Sequence, residues 1–78
     1  MSKIYIVYKD ETILQDIMFA LGYLQICNIK TNRKLCRIDI VGEITGSQLI
    51  GILGSFQHTI TQSTEDYYQI WIYDLTYN

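Results

Sequence analysis

One histidine, two cysteines and a few acids are the side chains of this chain whose types could do chemistry. His58 could act as a general base, but a base needs a nucleophile or an acid in reach. No Ser-His-Asp or Cys-His arrangement marks one, so a polar loop or helix-end histidine is the better reading. Cys27 and Cys36 lack the C-x-x-C spacing, and one histidine does not complete a four-ligand zinc site. They read as free, buried structural thiols of a reducing compartment. Gly42-Glu43-Ile44-Thr45-Gly46-Ser47 runs from a strand into a helix start, as phosphate loops do. It has no Walker lysine, and Glu43 would repel phosphate. The expectation is therefore no catalytic residue, no metal site, no cofactor and no enzyme.

Two surface sets carry more information. Lys30, Arg33, Lys34 and Arg37 gather four of the six basic residues on one hairpin. Such a hairpin can grip phosphates or an acidic partner; equally, it can be a solvated turn that keeps an edge strand from aggregating. The second set is Tyr5, Val7, Gln69, Trp71 and Tyr73. In Tyr67-Tyr68-Gln69-Ile70-Trp71-Ile72-Tyr73-Asp74-Leu75 both faces are apolar. Alternation puts Tyr68, Ile70 and Ile72 on one side and Gln69, Trp71, Tyr73 and Leu75 on the other. A chain this short can cover one sheet face with its own helices, but hardly both. The aromatic face is thus expected to meet a partner.

The elements that position these sets are readable. Lys3 to Tyr8 is β-branched and aromatic, a strand. Asp10 is an N-cap, and Ile13, Leu14, Ile17, Met18, Leu21 and Leu24 recur at helical spacing, with Gly22 at the expected C-terminal cap. Gln25 to Lys30 reads as a second strand, 31–34 as a turn and Leu35 to Val41 as a third strand. Pairing Lys30 with Leu35 puts Cys27, Ile29 and Cys36 toward the core. Thr45 and Gln48 form a capping box before a second helix with Leu49, Ile52, Leu53 and Phe56 as its buried stripe. Gly51 and Gly54 weaken that helix, and close packing is the expected reason. Its outward residues, Ser47, Ile50, Gly51, Gly54 and Gln57, carry no charge. Residues 57–66 read as a polar loop, with His58 to Thr61 alternating enough for a short extra strand.

The order strand, helix, strand, strand, helix, strand describes one α+β domain over residues 1–78. Its fold is expected to be ferredoxin-like βαββαβ, an antiparallel sheet with both helices on one face. The last strand would then lie beside the first, merging Tyr5, Val7, Trp71 and Tyr73 into one patch. RNA-recognition domains of this topology stack bases there, but strand three offers Arg37 and Asp39 instead of aromatics. A protein contact fits better, since Tyr and Trp are favoured at interfaces.

Composition agrees. Hydrophobic content of 49% and charged content of 18% exclude a disordered chain, and a net charge of −2 gives no overall attraction to nucleic acid or acidic membranes. No stretch approaches a membrane span. Met1-Ser2-Lys3 leads straight into a strand, without the apolar segment of an export signal, so a cytoplasmic location is expected. Fourteen Ile and seven Tyr against one Ala and no Pro point to an AT-rich genome, as in a phage, a mobile element or an AT-rich bacterium.

From Val41 to Leu75 the pattern resembles the small structural subunit of the CRISPR spacer-integration complex. The matching residues are Gly42-Glu43-Ile44-Thr45, Gln48-Leu49, Glu65-Asp66 and Ile72-Tyr73-Asp74. The resemblance implies a ferredoxin-like fold and a dimer, and in places a metal-dependent nuclease. The first half departs: Tyr8-Lys9 precede Asp10, and the arginines of the family's first helix are absent.

The expected function is a non-enzymatic, dimeric interaction protein whose partners are itself and another, unidentified protein. A phage or mobile-element accessory or inhibitor would fit. The alternative is a nucleic-acid-associated or nuclease-like subunit using Asp10 and the basic hairpin. A weaker third option is a sensor with a small ligand at a dimer interface.

Overall fold

A computed structural model describes residues 2–22, 24 and 28–76 of the chain. The elements are β1 (Ser2–Tyr8), a 3-10 turn (Glu11–Ile13), α1 (Leu14–Leu21), β2 (Asn28–Asn32), β3 (Arg37–Gly42), α2 (Gly46–Leu53), β4 (Phe56–Ser63) and β5 (Tyr67–Leu75). The strands form one sheet in the order β2-β3-β1-β5-β4. No helix among the described residues is long and apolar enough to cross a membrane.

This arrangement corrects the ferredoxin-like expectation. The class is α+β, but the sheet is mixed and has five strands, with β1 and β5 parallel. The cause is β4. β3 runs antiparallel to β1, and β4 runs antiparallel to β5. A four-stranded chain would bring its last strand back antiparallel to β1. Here one extra reversal precedes that strand, so β5 enters beside β1 in the same direction. The alternation of His58 to Thr61 was the visible trace of this strand, which spans eight residues and not four.

Alternation sorts the sheet into two faces. Ile4, Ile6 and Tyr8 of β1, Ile38 and Ile40 of β3, and Ile70 and Ile72 of β5 point one way and are buried. They share a single cluster with Leu14, Ile17 and Leu21 of α1 and Leu49, Ile52 and Leu53 of α2. Both helices therefore cover the same face. Ile6 lies between Ile38 and Ile70 in register and is fully buried, which stabilises by about 1.5–3 kcal/mol relative to an exposed side chain.

Two bulges interrupt the β4–β5 ladder. One residue, Tyr73, is inserted in β5 between the pairs Gln57–Asp74 and His58–Ile72; another, Thr61, is inserted in β4 between Ile60–Ile70 and Gln62–Gln69. Each bulge advances one strand's phase by a residue. Leu75, placed by strict alternation with Trp71, consequently packs against the core beside Phe56.

The helix starts follow local chemistry. The Asp10 carboxylate accepts from the Thr12 amide at 2.9 Å. Thr45 and Gln48 close a full capping box: the Gln48 amide donates to Thr45 Oγ1 at 3.1 Å, and the Thr45 amide to Gln48 Oε1 at 3.0 Å. Gly22 occupies the C-cap of α1 in a right-handed conformation. Phe56 is buried as expected, but as the first residue of β4. Gly51 does not serve close packing: a Cβ there would meet nothing within 4 Å.

The β2–β3 hairpin also differs from expectation in register. Lys30 faces Asp39, and Asn32 faces Arg37, leaving residues 33–36 as the turn. Asn32 Oδ1 accepts from the Leu35 amide at 3.2 Å, the local bond that favours Asn in turns. Cys36 closes the turn at a positive φ of 49°, a conformation costing roughly 1–2 kcal/mol outside glycine. The shift keeps the parity, so Ile29 and Cys36 both pack against the core. Cys27 and the start of the expected second strand lie outside the described residues.

Candidate interaction surface

The helix-free face carries the aromatic set. In register, Tyr5 faces Gln69, Val7 faces Trp71 and Lys3 faces Tyr67 across the parallel β1–β5 pair. All five residues read from the sequence (Tyr5, Val7, Gln69, Trp71 and Tyr73) thus lie on one side of two adjacent strands. Trp71 and Tyr73 meet edge to face at 5.8 Å, and Tyr5 tilts against Tyr67 at 5.4 Å. Such pairs are worth about 0.5–1.5 kcal/mol beyond their burial. They hold the rings as fixed surface without closing it: Tyr5, Val7, Gln69 and Trp71 stay half-buried and Tyr73 is 39% exposed. The Tyr73 hydroxyl bonds to Thr59 Oγ1 on β4, and Thr61 Oγ1 donates to the Gln69 carbonyl at 3.1 Å.

No family model matches this chain, and neither a curated protein nor a solved structure matches it. What its surface can do rests on the residues themselves.

The four basic residues do not act as one patch. Arg33 in the turn pairs with Glu11 at 3.3 Å, both well exposed. Arg37 pairs with Asp39, its Nε 2.8 Å from Oδ1 and its Nη2 donating to Oδ2 at 3.1 Å. Lys34 is exposed in the turn. Lys30 lies on the open face, opposite Asp39. There it lines a shallow cleft of about 300 Å³ with Lys3, Tyr5, Asn28, Asp39 and Val41. Asp39 therefore stands among Lys3, Lys30 and Arg37 and offsets their charge.

The residues weighed for catalysis are scattered. Asp10 is engaged at the first helical turn, where the hydroxyl and then the amide of Thr12 hold its carboxyl below the usual range. His58 sits on β4 with Nδ1 2.9 Å from the Phe56 carbonyl. Among the described residues no three of His, Cys, Asp and Glu come together as metal ligands. Cys36 is a free, half-buried thiol.

Sequence reasoning missed Tyr67 and Thr59. Tyr67 shares the parity of Gln69 and Trp71 and was legible once the pairing with β1 was assumed. Thr59 was not, because its strand read as loop. On the other side of the molecule, the outer face of α2 is exposed and uncharged at Ser47, Ile50 and Gly51, with Ile50 72% exposed, whereas Gln57, expected on that face, belongs to β4. A groove of about 250 Å³ runs between the helices past Ala20, Leu24, Gln48, Gly51, Ile52 and Ser55.

Proposed function

We propose that this chain is a non-enzymatic, cytoplasmic interaction protein that works as a homodimer and binds another protein through the aromatic face of its sheet. An accessory or inhibitor of a phage or mobile element is the setting its composition fits. The observation that carries the reading is the ring surface of Tyr5, Tyr67, Trp71 and Tyr73, which the chain's own helices leave uncovered because both pack on the opposite face. Tyr and Trp offer large contact area at low entropic cost, which is why they dominate interface hot spots.

The competing reading, nucleic-acid association, has in its favour Lys3 and Lys30 beside Tyr5 in the open-face cleft. Against it stand Asp39 in the same cleft and the pairing of Arg33 and Arg37 with acids. Capture from native-host lysate, compared between the natural chain and Trp71→Glu, tests the choice. A protein retained by the first and lost by the second, insensitive to salt, supports the proposal. Capture unchanged by Trp71→Glu would place the working surface elsewhere. Nucleic acid retained with a steep salt dependence would favour the competing reading.

A further inference from the structure

We propose that β4 is the self-association edge of this protein. Two copies join their β4 strands antiparallel about a two-fold axis and continue one sheet across both. This rests on the reading of the chain as a homodimer and names the surface that reading leaves open.

The argument starts from the two sheet edges. Among the described residues, the sheet order leaves one side of β2 and one side of β4 without a neighbouring strand. An open edge is a template for further pairing, and proteins blunt it with charge, brevity, proline or bulges. β2 is blunted. It carries Lys30, and Arg33 and Lys34 follow in its turn. β4 is eight residues of Phe-Gln-His-Thr-Ile-Thr-Gln-Ser, with no Asp, Glu, Lys, Arg or Pro. Its one protective feature is the bulge at Thr61, which leaves Phe56–Ile60 regular on that strand.

The absence of charge favours a second copy over an unrelated strand. In a two-fold antiparallel pair the strand meets itself, so a charge near the centre meets its own like, which is destabilising. A neutral strand escapes that penalty in every register. With the axis at Thr59, Thr59 would face its own copy, and Ile60 would face His58. These are the Thr–Thr and β-branched contacts that stabilise neighbouring strands. Ile60 is 44% exposed on the core side of the sheet, an apolar side chain that such pairing would cover. Pairing of β2 with β4 would be head-to-tail and open-ended, and Lys30 opposes it.

The two copies would also keep their faces in common. The Trp71–Tyr73 pair lies one strand in from β4, so the aromatic patches of both copies would fall on the same side, flanking the axis. The dimer would present a doubled binding surface.

Sedimentation equilibrium at micromolar concentration tests this with three chains: the natural one, Ile60→Lys and Trp71→Glu. The expected natural mass is twice 9.1 kDa. Ile60→Lys should halve it, and Trp71→Glu should leave it doubled. Gln57→Lys, exposed and within the regular segment, serves as a second edge variant should circular dichroism show Ile60→Lys unfolded. A dimer that survives both folded edge variants but dissociates in Trp71→Glu would overturn the edge assignment while keeping the homodimer. A natural chain that is monomeric would overturn both. Amide exchange adds an independent readout: β4 amides should slow as concentration rises. If they slow only when another protein is added, the edge serves a foreign strand and self-pairing is rejected.

Discussion

The Arg37 guanidinium lies over the ring of Tyr5, 5.5 Å from its centroid, and Asp39 of the same strand holds it there through two contacts. A cation on an aromatic face is worth about 0.5–1 kcal/mol where solvent reaches it. Its larger consequence is electrostatic. Asp39 is the carboxylate that keeps the cleft of Lys3 and Lys30 from becoming a cationic site.

Asp39→Asn should therefore change binding more than stability. Exposed pairs contribute about 0–1 kcal/mol, so the urea midpoint should move little. Affinity for duplex DNA should rise, with a salt slope of about −0.9 for each phosphate neutralised. Fluorescence anisotropy against salt concentration measures it; no gain in the variant would show that the open face cannot take phosphate even when its acid is removed.

Gly51→Ala should stabilise the protein by about 1 kcal/mol, because a helix-interior glycine is disfavoured by that amount and the added methyl meets nothing. In a domain of this size that is a rise of about 4–8 °C in Tm. A fall, seen by calorimetry, would mean that the glycine accommodates a contact on the outer face of α2.

Tyr8 is buried, and its hydroxyl has no hydrogen-bond partner among the described residues. Burial pushes its phenol up from the ordinary value, with the nearby Cys36 and Glu11 adding to the rise. The protonated ring thus supports the fold below the ordinary tyrosine value of about 10, and that support is lost as pH rises through the elevated folded value. Tyr8→Phe should hold or increase neutral-pH stability, by about 1 kcal/mol, since an unsatisfied group is removed. It should also resist alkaline unfolding better than the natural chain. Equal alkaline midpoints by circular dichroism would contradict this.

Asp10 gives the opposite dependence. Its carboxyl is held low by Thr12, so its contribution is complete above the ordinary aspartate value of about 3.9 and fades as pH falls through the lower folded value. Asp10→Asn keeps a capping side chain but loses the titration. Urea midpoints of the two chains should differ at neutral pH and converge in acid; a gap that persists at low pH would point to packing in place of charge.

Much of the framework is legible from residues. Thr45 and Gln48 announce their capping box, and Ile4, Ile6, Ile70 and Ile72 announce the buried face. One error arises because alternation has no memory of inserted residues. The bulge at Tyr73 sends Leu75 to the core. The turn that composition placed at 31–34 falls at 33–36, closed by the left-handed Cys36. β4 escaped because an edge strand over little core needs few apolar residues, and its Gln and Thr resemble loop. Missing it also missed the parallel pair, since one overlooked reversal changes the direction of everything after it. The aromatic face survived because Trp71 and Tyr5 lie on β5 and β1, whose phase there is undisturbed.

The placement of β5 bears on how the sheet assembles. β5 lies inside the sheet, between β1 and β4, and Tyr5 pairs with Gln69 from far away in the sequence. Until β5 docks, β1 has a neighbouring strand on one side only and β4 has no strand to pair with. Closing the sheet therefore depends on contacts distant in sequence, which form slowly. A chain whose β5 is undocked would leave part of its hydrophobic layer open to proteases.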